Sequence, residues 1–188
     1  MRNFLRIADN ADITPLLLAV QRRPALWDVD TFWKHHPVPV FREADTIYLR
    51  FPDKRLYSGD APAGTLDPWE AFNQPAFAAL PEARPLVFGL MARMEAERLG
   101  RVLINRLPAG GYIPAHRDMP PGTNYYDRFH IVLSANGGCN FHAGGETVQM
   151  AAGEVWWFDY TQEHAIDNTG DTDRIHLIVD MRLHKESP

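Results

Sequence analysis

The chain has 188 residues, 45% apolar and 23% charged, which suits a single domain with a sizeable core and excludes a disordered chain. A formal net charge of -5 argues against nucleic acid or an anionic membrane surface as the main partner. One cysteine, Cys139, excludes an intrachain disulfide; with no signal-like apolar run at the N-terminus and no apolar run long enough for a bilayer, the expectation is a soluble cytoplasmic protein.

In chain order, "DITPLLLAVQRR" predicts a helix with Thr14 as N-cap and Pro15 at the first helical position. His35 and His36 precede Pro37 without a partner at ligand spacing and read as surface residues. "DTIYLRF" alternates as a strand, with Ile47, Leu49 and Phe51 on one face. "FPDKRLYSGDAPAGTLDP" is rich in Pro, Gly and Asp and reads as a long loop. "EARPLVFGLMARMEAERLG" predicts a helix over 82–99, with Leu86, Val87, Leu90, Met91 and Met94 as its apolar stripe and Gly100 as its C-cap.

Beyond Gly100 the period changes to two. "RVLINRL", "GYIPAHRD", "RFHIVLSA", "CNFHAG", "ETVQMA", "EVWWFDY", "HAIDNT" and "DRIHLIVDMRL" are short runs separated by turn signals such as "NGG" and "NTGDT". Eight such strands predict a mainly β protein, a compact antiparallel barrel or jelly roll with the helix packed outside and a ligand site in its mouth. The expected organisation is one domain, 1–188, in which a mixed α/β part, 1–99, packs on and extends a β core, 100–183.

In the second of these runs His116 and Asp118 are two apart, so they project together if "PAHRD" is extended. Alone, such a pair is more often a surface His and Asp near a strand end. His164, past a turn after "EVWWFDY", is the candidate third ligand. Two imidazoles and one carboxylate leave half an octahedron open, which suits a non-haem Fe(II) that activates oxygen; zinc remains chemically possible. Arg174 opens the strongly apolar run "RIHLIVDM", and an inward guanidinium there calls for an anion such as a dicarboxylate. Arg128 and His130 share one strand face, and Phe129 and Ile131 the other. Facing inward, Arg128 and His130 would suit a second carboxylate; facing outward, they would be an exposed pair on an edge strand.

The order His, Asp, His, then arginine, resembles the Fe(II)/2-oxoglutarate-dependent oxygenases with a double-stranded β-helix core. "NRLPAGGYIPAHRD" and the stretch from "DRFHIVLSANGG" to "IHLIVDM" resemble more closely the aspartyl/asparaginyl β-hydroxylase family, over roughly residues 100–183. That resemblance implies His116 and His164 as metal ligands. It also implies Arg174 at the distal carboxylate of 2-oxoglutarate with Asn105 beside it, and Arg128 and His130 near the metal-bound end. Animal members lack a carboxylate at the position of Asp118, whereas several bacterial members keep it. The implied cofactors are Fe(II), 2-oxoglutarate and O2. The implied reaction is hydroxylation of an unactivated C–H in a small molecule or protein side chain, coupled to oxidative decarboxylation of 2-oxoglutarate to succinate and CO2.

A metal-binding cupin of another class (isomerase, lyase or different dioxygenase) is the alternative. His164-x3-Asn168 resembles the end of the second cupin motif, but the first motif is absent. A non-catalytic binding module is a third possibility, against which the intact ligand set argues. His142 reads as an exposed strand histidine. His176 shares the face of Arg174 and either touches it or packs. One of Trp156 and Trp157 is expected in the core and the other at the mouth. Cys139 reads as a small buried residue. Tyr125 and Tyr126, in "MPPGTNYYD", either close over a substrate or pack on the barrel.

Overall fold

The structure is a computed structural model, and it describes all residues except 36–39, 41, 59, 61–63, 65, 119–124 and 185–188. The chain opens with strand β1 (Phe4–Ala8), helix α1 (Thr14–Gln21), a 3-10 turn at Pro24–Asp28 and a short helix α2 (Phe32–His35). Strand β2 (Asp45–Phe51), helix α3 (Arg55–Ser58), strand β3 (Phe72–Asn73) and helices α4 (Pro75–Ala79) and α5 (Ala83–Arg93) follow. The remainder is β: β4 (Ala96–Leu107), β5 (Tyr112–His116), β6 (Asp127–Ser134), β7 (Cys139–Ala143), β8 (Glu146–Val148), β9 (Val155–Phe158), β10 (His164–Asn168) and β11 (Arg174–Leu183). All eight runs predicted beyond Gly100 are strands.

These strands form two antiparallel sheets. The larger has the order β1-β9-β6-β11-β4-β2-β3 and the smaller β5-β10-β7-β8. The larger sheet is covered on both faces. Its outer face, with Ile104, Phe129, Ile131, Leu177 and Val179, packs on Leu16, Val20, Phe77, Val87 and Leu90 of α1, α4 and α5. Its inner face meets the smaller sheet across Val132, Phe141, Phe158 and Ile166. Burial on both faces explains why β11 reads as a nearly continuous apolar run rather than an alternation. Each fully buried Leu, Ile, Val or Phe contributes about 1.5–3 kcal/mol. No helix among the described residues is long and apolar enough to cross a membrane.

Four local expectations are corrected. Thr14 is already helical: Ile13 is the N-cap, in right-handed helical geometry, and no side chain caps the end. The predicted helix over 82–99 stops at Arg93 because Glu95 turns left-handed (φ 51°) and the chain then enters β4. There the pairings Ala96–Leu183, Arg98–Arg182 and Leu99–Met181 outweigh helix propensity. Phe51 does not share the face of Ile47 and Leu49. The register shifts between Tyr48 and Arg50, so Phe51 turns inward against Tyr48, with ring centroids 4.7 Å apart. The predicted loop over 51–68 contains α3.

Gly100 is therefore no helix cap. A Cβ there would come within 2.8 Å of the ring of Tyr126. That ring is buried, and its hydroxyl donates to the Trp69 carbonyl, so it cannot swing aside freely. Gly100→Ala should cost about 1–3 kcal/mol as a lower urea midpoint, the usual range for overpacking. The same substitution in a Tyr126→Leu background should cost well under that.

Candidate functional site

The cavity lies between the two sheets, has a volume of about 160 Å³, and draws side chains from both. Register brings the first two candidate ligands together. His164, the first residue of β10, pairs directly with His116, the last of β5. Their ring centroids are 4.2 Å apart. Asp118 lies just beyond the end of β5, so it reaches the site from a bend rather than from an extended strand. Its Oδ1 is 3.3 Å from His116 Nε2 and its Oδ2 3.9 Å from His164 Nε2. One ligand atom from each of the three residues lies within 4.8 Å of the others.

The tautomers follow from the remaining ring nitrogens. His116 Nδ1 is 2.7 Å from the Pro114 carbonyl and His164 Nδ1 is 3.0 Å from the Gln162 carbonyl. A carbonyl only accepts, so each Nδ1 carries the proton and each Nε2 is a bare lone pair aimed at the carboxylate. Burial lowers the His116 pKa, and burial with His116 beside it lowers His164 to about 3, so both rings are neutral near pH 7. Three electron-pair donors converge, and a divalent transition-metal ion fits that donor set.

Arg128 stands behind Asp118. Its Nη1 donates to Asp118 Oδ2, while its Nε and Nη2 hold Asp180 at 2.7 and 2.9 Å. Arg101 Nε meets Asp180 Oδ2 at 2.7 Å. Burial alone would raise the Asp180 pKa, but the two guanidiniums pull it down to about 2. Arg101, Asp180 and Arg128 sit side by side across β4, β11 and β6, which makes β6 an internal strand and not an edge. With Oδ2 held by Arg128, Oδ1 is the Asp118 oxygen left to a ligand.

Arg174 lines the same cavity and is only 1% exposed. Its Nη1 donates to Asn105 Oδ1 at 3.2 Å and its Nη2 to His176 Nδ1 at 2.9 Å; its guanidinium lies 5.8 Å from the Phe141 ring centroid. No carboxylate pairs with it among the described residues. Burial lowers its pKa to about 10, so it stays charged near neutrality. Asn105 also reaches Thr46 Oγ1 at 3.3 Å, and His130 is buried beside His176.

All the predicted site residues thus line one cavity. Sequence reasoning missed Thr46, Tyr48, Tyr57 and Arg101, which also line it, and Asp180 behind them. A charged residue inside "LIVDM" was the available signal for Asp180. The other candidates lie elsewhere. His142 bonds Thr147 and Asp167, and His35 is exposed on α2. Trp156 is in the core as expected, but Trp157 packs toward the outer cluster and donates to Asp127, so neither lines the cavity. Cys139 is buried at the start of β7. Asn168, the cupin-like residue, is spent on the carbonyls of Leu107, Pro108 and Thr172. Tyr125 stacks on Trp69 and accepts from Arg98 and Arg182, so Tyr125 and Tyr126 pack on the barrel. His36 and residues 119–124 lie outside the described residues.

Comparison with known proteins gives the family and the fold. The family model of the aspartyl/asparaginyl β-hydroxylases matches residues 57–183, beginning well upstream of residue 100, where the resemblance seen in the sequence starts. An L-proline cis-4-hydroxylase of Rhizobium meliloti is 27% identical over 110 residues, 57% of this chain and 39% of that protein. An oxalate-binding protein of Thermotoga maritima is 34% identical over 70 residues, 35% of this chain and 58% of that protein. The chain thus spans well under two thirds of the length of both relatives. A crystal structure of an oxidoreductase of the 2OG-Fe(II) oxygenase family from Burkholderia pseudomallei has the same fold, with a TM-score of 0.56 at 19% identity over 97% of this chain and 85% of that one.

Protonation of the buried histidines sets the pH response. His164 binds fewer protons folded (pKa about 3) than unfolded (6.5), so acid in that window favours the unfolded chain. His130 and His176, held well below 6.5 by burial and by Arg174, act with the same sign. The urea midpoint of metal-free protein should therefore fall as the pH drops from 6.5 toward 3. A midpoint constant across that window would contradict neutral, buried histidines.

Proposed function

The chain belongs to the aspartyl/asparaginyl β-hydroxylase family, and from that premise we propose that it is an Fe(II)- and 2-oxoglutarate-dependent hydroxylase of an amino-acid-like or protein side-chain substrate. The observation that carries this reading is a single cavity with a His-Asp-His donor set on one side and a buried arginine without a carboxylate partner among the described residues on another. A buried charge is costly unless paired. A dianion that reaches from metal to guanidinium satisfies both features at once.

His116, Asp118 and His164 would hold the ferrous ion, which supplies oxygen activation when bound. Arg174 orients the distal carboxylate of 2-oxoglutarate through a charge-assisted pair, with Asn105 and Thr46 alongside. Arg128 neutralises the metal end, and Asp180 keeps its guanidinium in place. Ile113, Phe141, Phe158, Ile166 and Ile178 exclude water around the reacting centre. Tyr48, Phe51, Tyr57 and Arg101 line the rest of the cavity and would meet the substrate. Arg101 favours a substrate with a carboxylate or another hydrogen-bond acceptor.

A metal-binding cupin of another class is the second reading, favoured by the local likeness to the oxalate-binding protein. The family match over 57–183 and the buried Arg174 weigh against it. Purified protein with Fe(II) and 2-oxoglutarate should form succinate slowly without added substrate. His116→Ala and Asp118→Ala should each abolish it. Succinate formation that survives both substitutions would sink the proposal.

A further inference from the structure

A second cavity, of about 180 Å³, adjoins the first, and Arg101 and Tyr57 line both. Its other walls are apolar or aromatic, among them Pro52, Leu56, Trp69 and Tyr126. The function proposed above makes no use of it. Its aromatic walls are anchored. Gly100 has no side chain, so the Tyr126 ring lies directly against β4, one residue before Arg101. The Tyr126 hydroxyl donates to the Trp69 carbonyl, and Tyr125 stacks on the Trp69 ring with centroids 4.8 Å apart. Tyr57, where the two cavities meet, has its ring centroid 5.6 Å from that of Phe51, which lines the first.

Arg101 is matched in charge but not in hydrogen bonds. Its Nε donates to Asp180 Oδ2 at 2.7 Å, and its two terminal nitrogens have no hydrogen-bond partner among the described residues. Terminal guanidinium nitrogens can only donate, and their planar fork fits a carboxylate with two parallel bonds. Size points the same way. Ligand pockets usually span roughly 300–1,000 Å³. The metal cavity, about 160 Å³, is small for a cosubstrate and a substrate together, and the second cavity brings the pair into that range. An apolar cavity of about 150 Å³ holds one benzene ring. The second cavity therefore takes one ring-sized group and little more.

We propose that Arg101 and the Trp69 cavity form a substrate subsite, and that the substrate is a small carboxylic acid with two arms. Its carboxylate lies on Arg101. A short arm carries the carbon to be hydroxylated into the metal cavity, and a ring-sized apolar arm fills the space beside Trp69. An amino acid acylated on its nitrogen has this shape, and a free amino acid leaves the second cavity empty. The inference rests on the metal cavity being the hydroxylation site proposed above.

The test is calorimetry on the full chain, free of metal and cosubstrate, with N-benzoylglycine, N-acetylglycine and the neutral N-benzoylglycinamide as probes. N-Benzoylglycine should bind about tenfold more tightly than N-acetylglycine, through burial of the ring, and about tenfold more tightly than the amide, through the charge on Arg101. Leu56→Trp fills the second cavity and leaves Arg101 in place. It should abolish the benzoyl preference and keep N-acetylglycine binding within a few-fold. Arg101→Gln should abolish the preference for acid over amide. Equal binding of the benzoyl and acetyl probes, or a benzoyl preference that survives Leu56→Trp, would overturn the subsite. An acid preference that survives Arg101→Gln would overturn the role of Arg101. If Arg101→Gln does not fold, the wild-type and Leu56→Trp titrations still decide. A peptide ending in Phe-Gly that binds more tightly than N-benzoylglycine would overturn the small-molecule class. No arm uses iron or turnover, so failure here is distinct from failure of the succinate assay.

Discussion

A guanidinium enclosed without a carboxylate partner among the described residues is the constraint around which this cavity is organised. Burying an unpaired ion costs several kcal/mol even after relaxation. Around Arg174 the fold supplies only partial compensation: the Asn105 oxygen, the His176 nitrogen and the face of Phe141. In the proposed function, the distal carboxylate of the cosubstrate supplies the rest. Arg174 opens β11, the strand flanked by β4 and β6 in the middle of the larger sheet. Such a position, packed on both faces, does not let the charge escape to solvent.

Farther along β11 the electrostatics are the opposite. Asp180 is shared by Arg101 and Arg128, and Arg128 also holds Asp118. Here the fold matches cations with carboxylates and fixes geometry rather than leaving a charge open. Arg128 is anchored at three points, so the Asp118 carboxylate it holds is constrained although the chain has already left β5. Backbone carbonyls lock the two histidine tautomers in the same manner. One end of the cavity therefore gathers three electron-pair donors and the other a buried guanidinium.

Much of this was legible from residue spacing. Period-two alternation found each strand after Gly100, because a strand covered on at least one face must alternate or run apolar. The meeting of His116 with His164 follows from strand pairing, whereas Asp118 joins them from a bend that the extended reading of "PAHRD" did not include; spacing alone favoured a surface pair, and the family resemblance drew the three together. What failed were local choices decided by distant partners. The helix end at Arg93 is set by β11 pairing with "AERL", a contact more than eighty residues away. The inward turn of Phe51 needs a register shift in β2 that no local pattern announces. Gly100 looked like a cap, yet its lack of a side chain serves the Tyr126 ring. Arg101 and Tyr48 could not be assigned to the cavity before the sheet order was known, since either face of their strands was open to them.

The most direct test compares 2-oxoglutarate with 2-oxobutyrate, which lacks the distal carboxylate, by calorimetry on protein loaded with Mn(II) in place of iron. The wild-type chain should bind 2-oxoglutarate about 100-fold more tightly, the equivalent of roughly 3 kcal/mol for a buried charge pair. In Arg174→Ala that preference should vanish while 2-oxobutyrate affinity stays within a few-fold. Equal binding of the two acids by the wild-type protein would contradict the assignment of Arg174, and with it the account of why the cavity holds an unpaired charge.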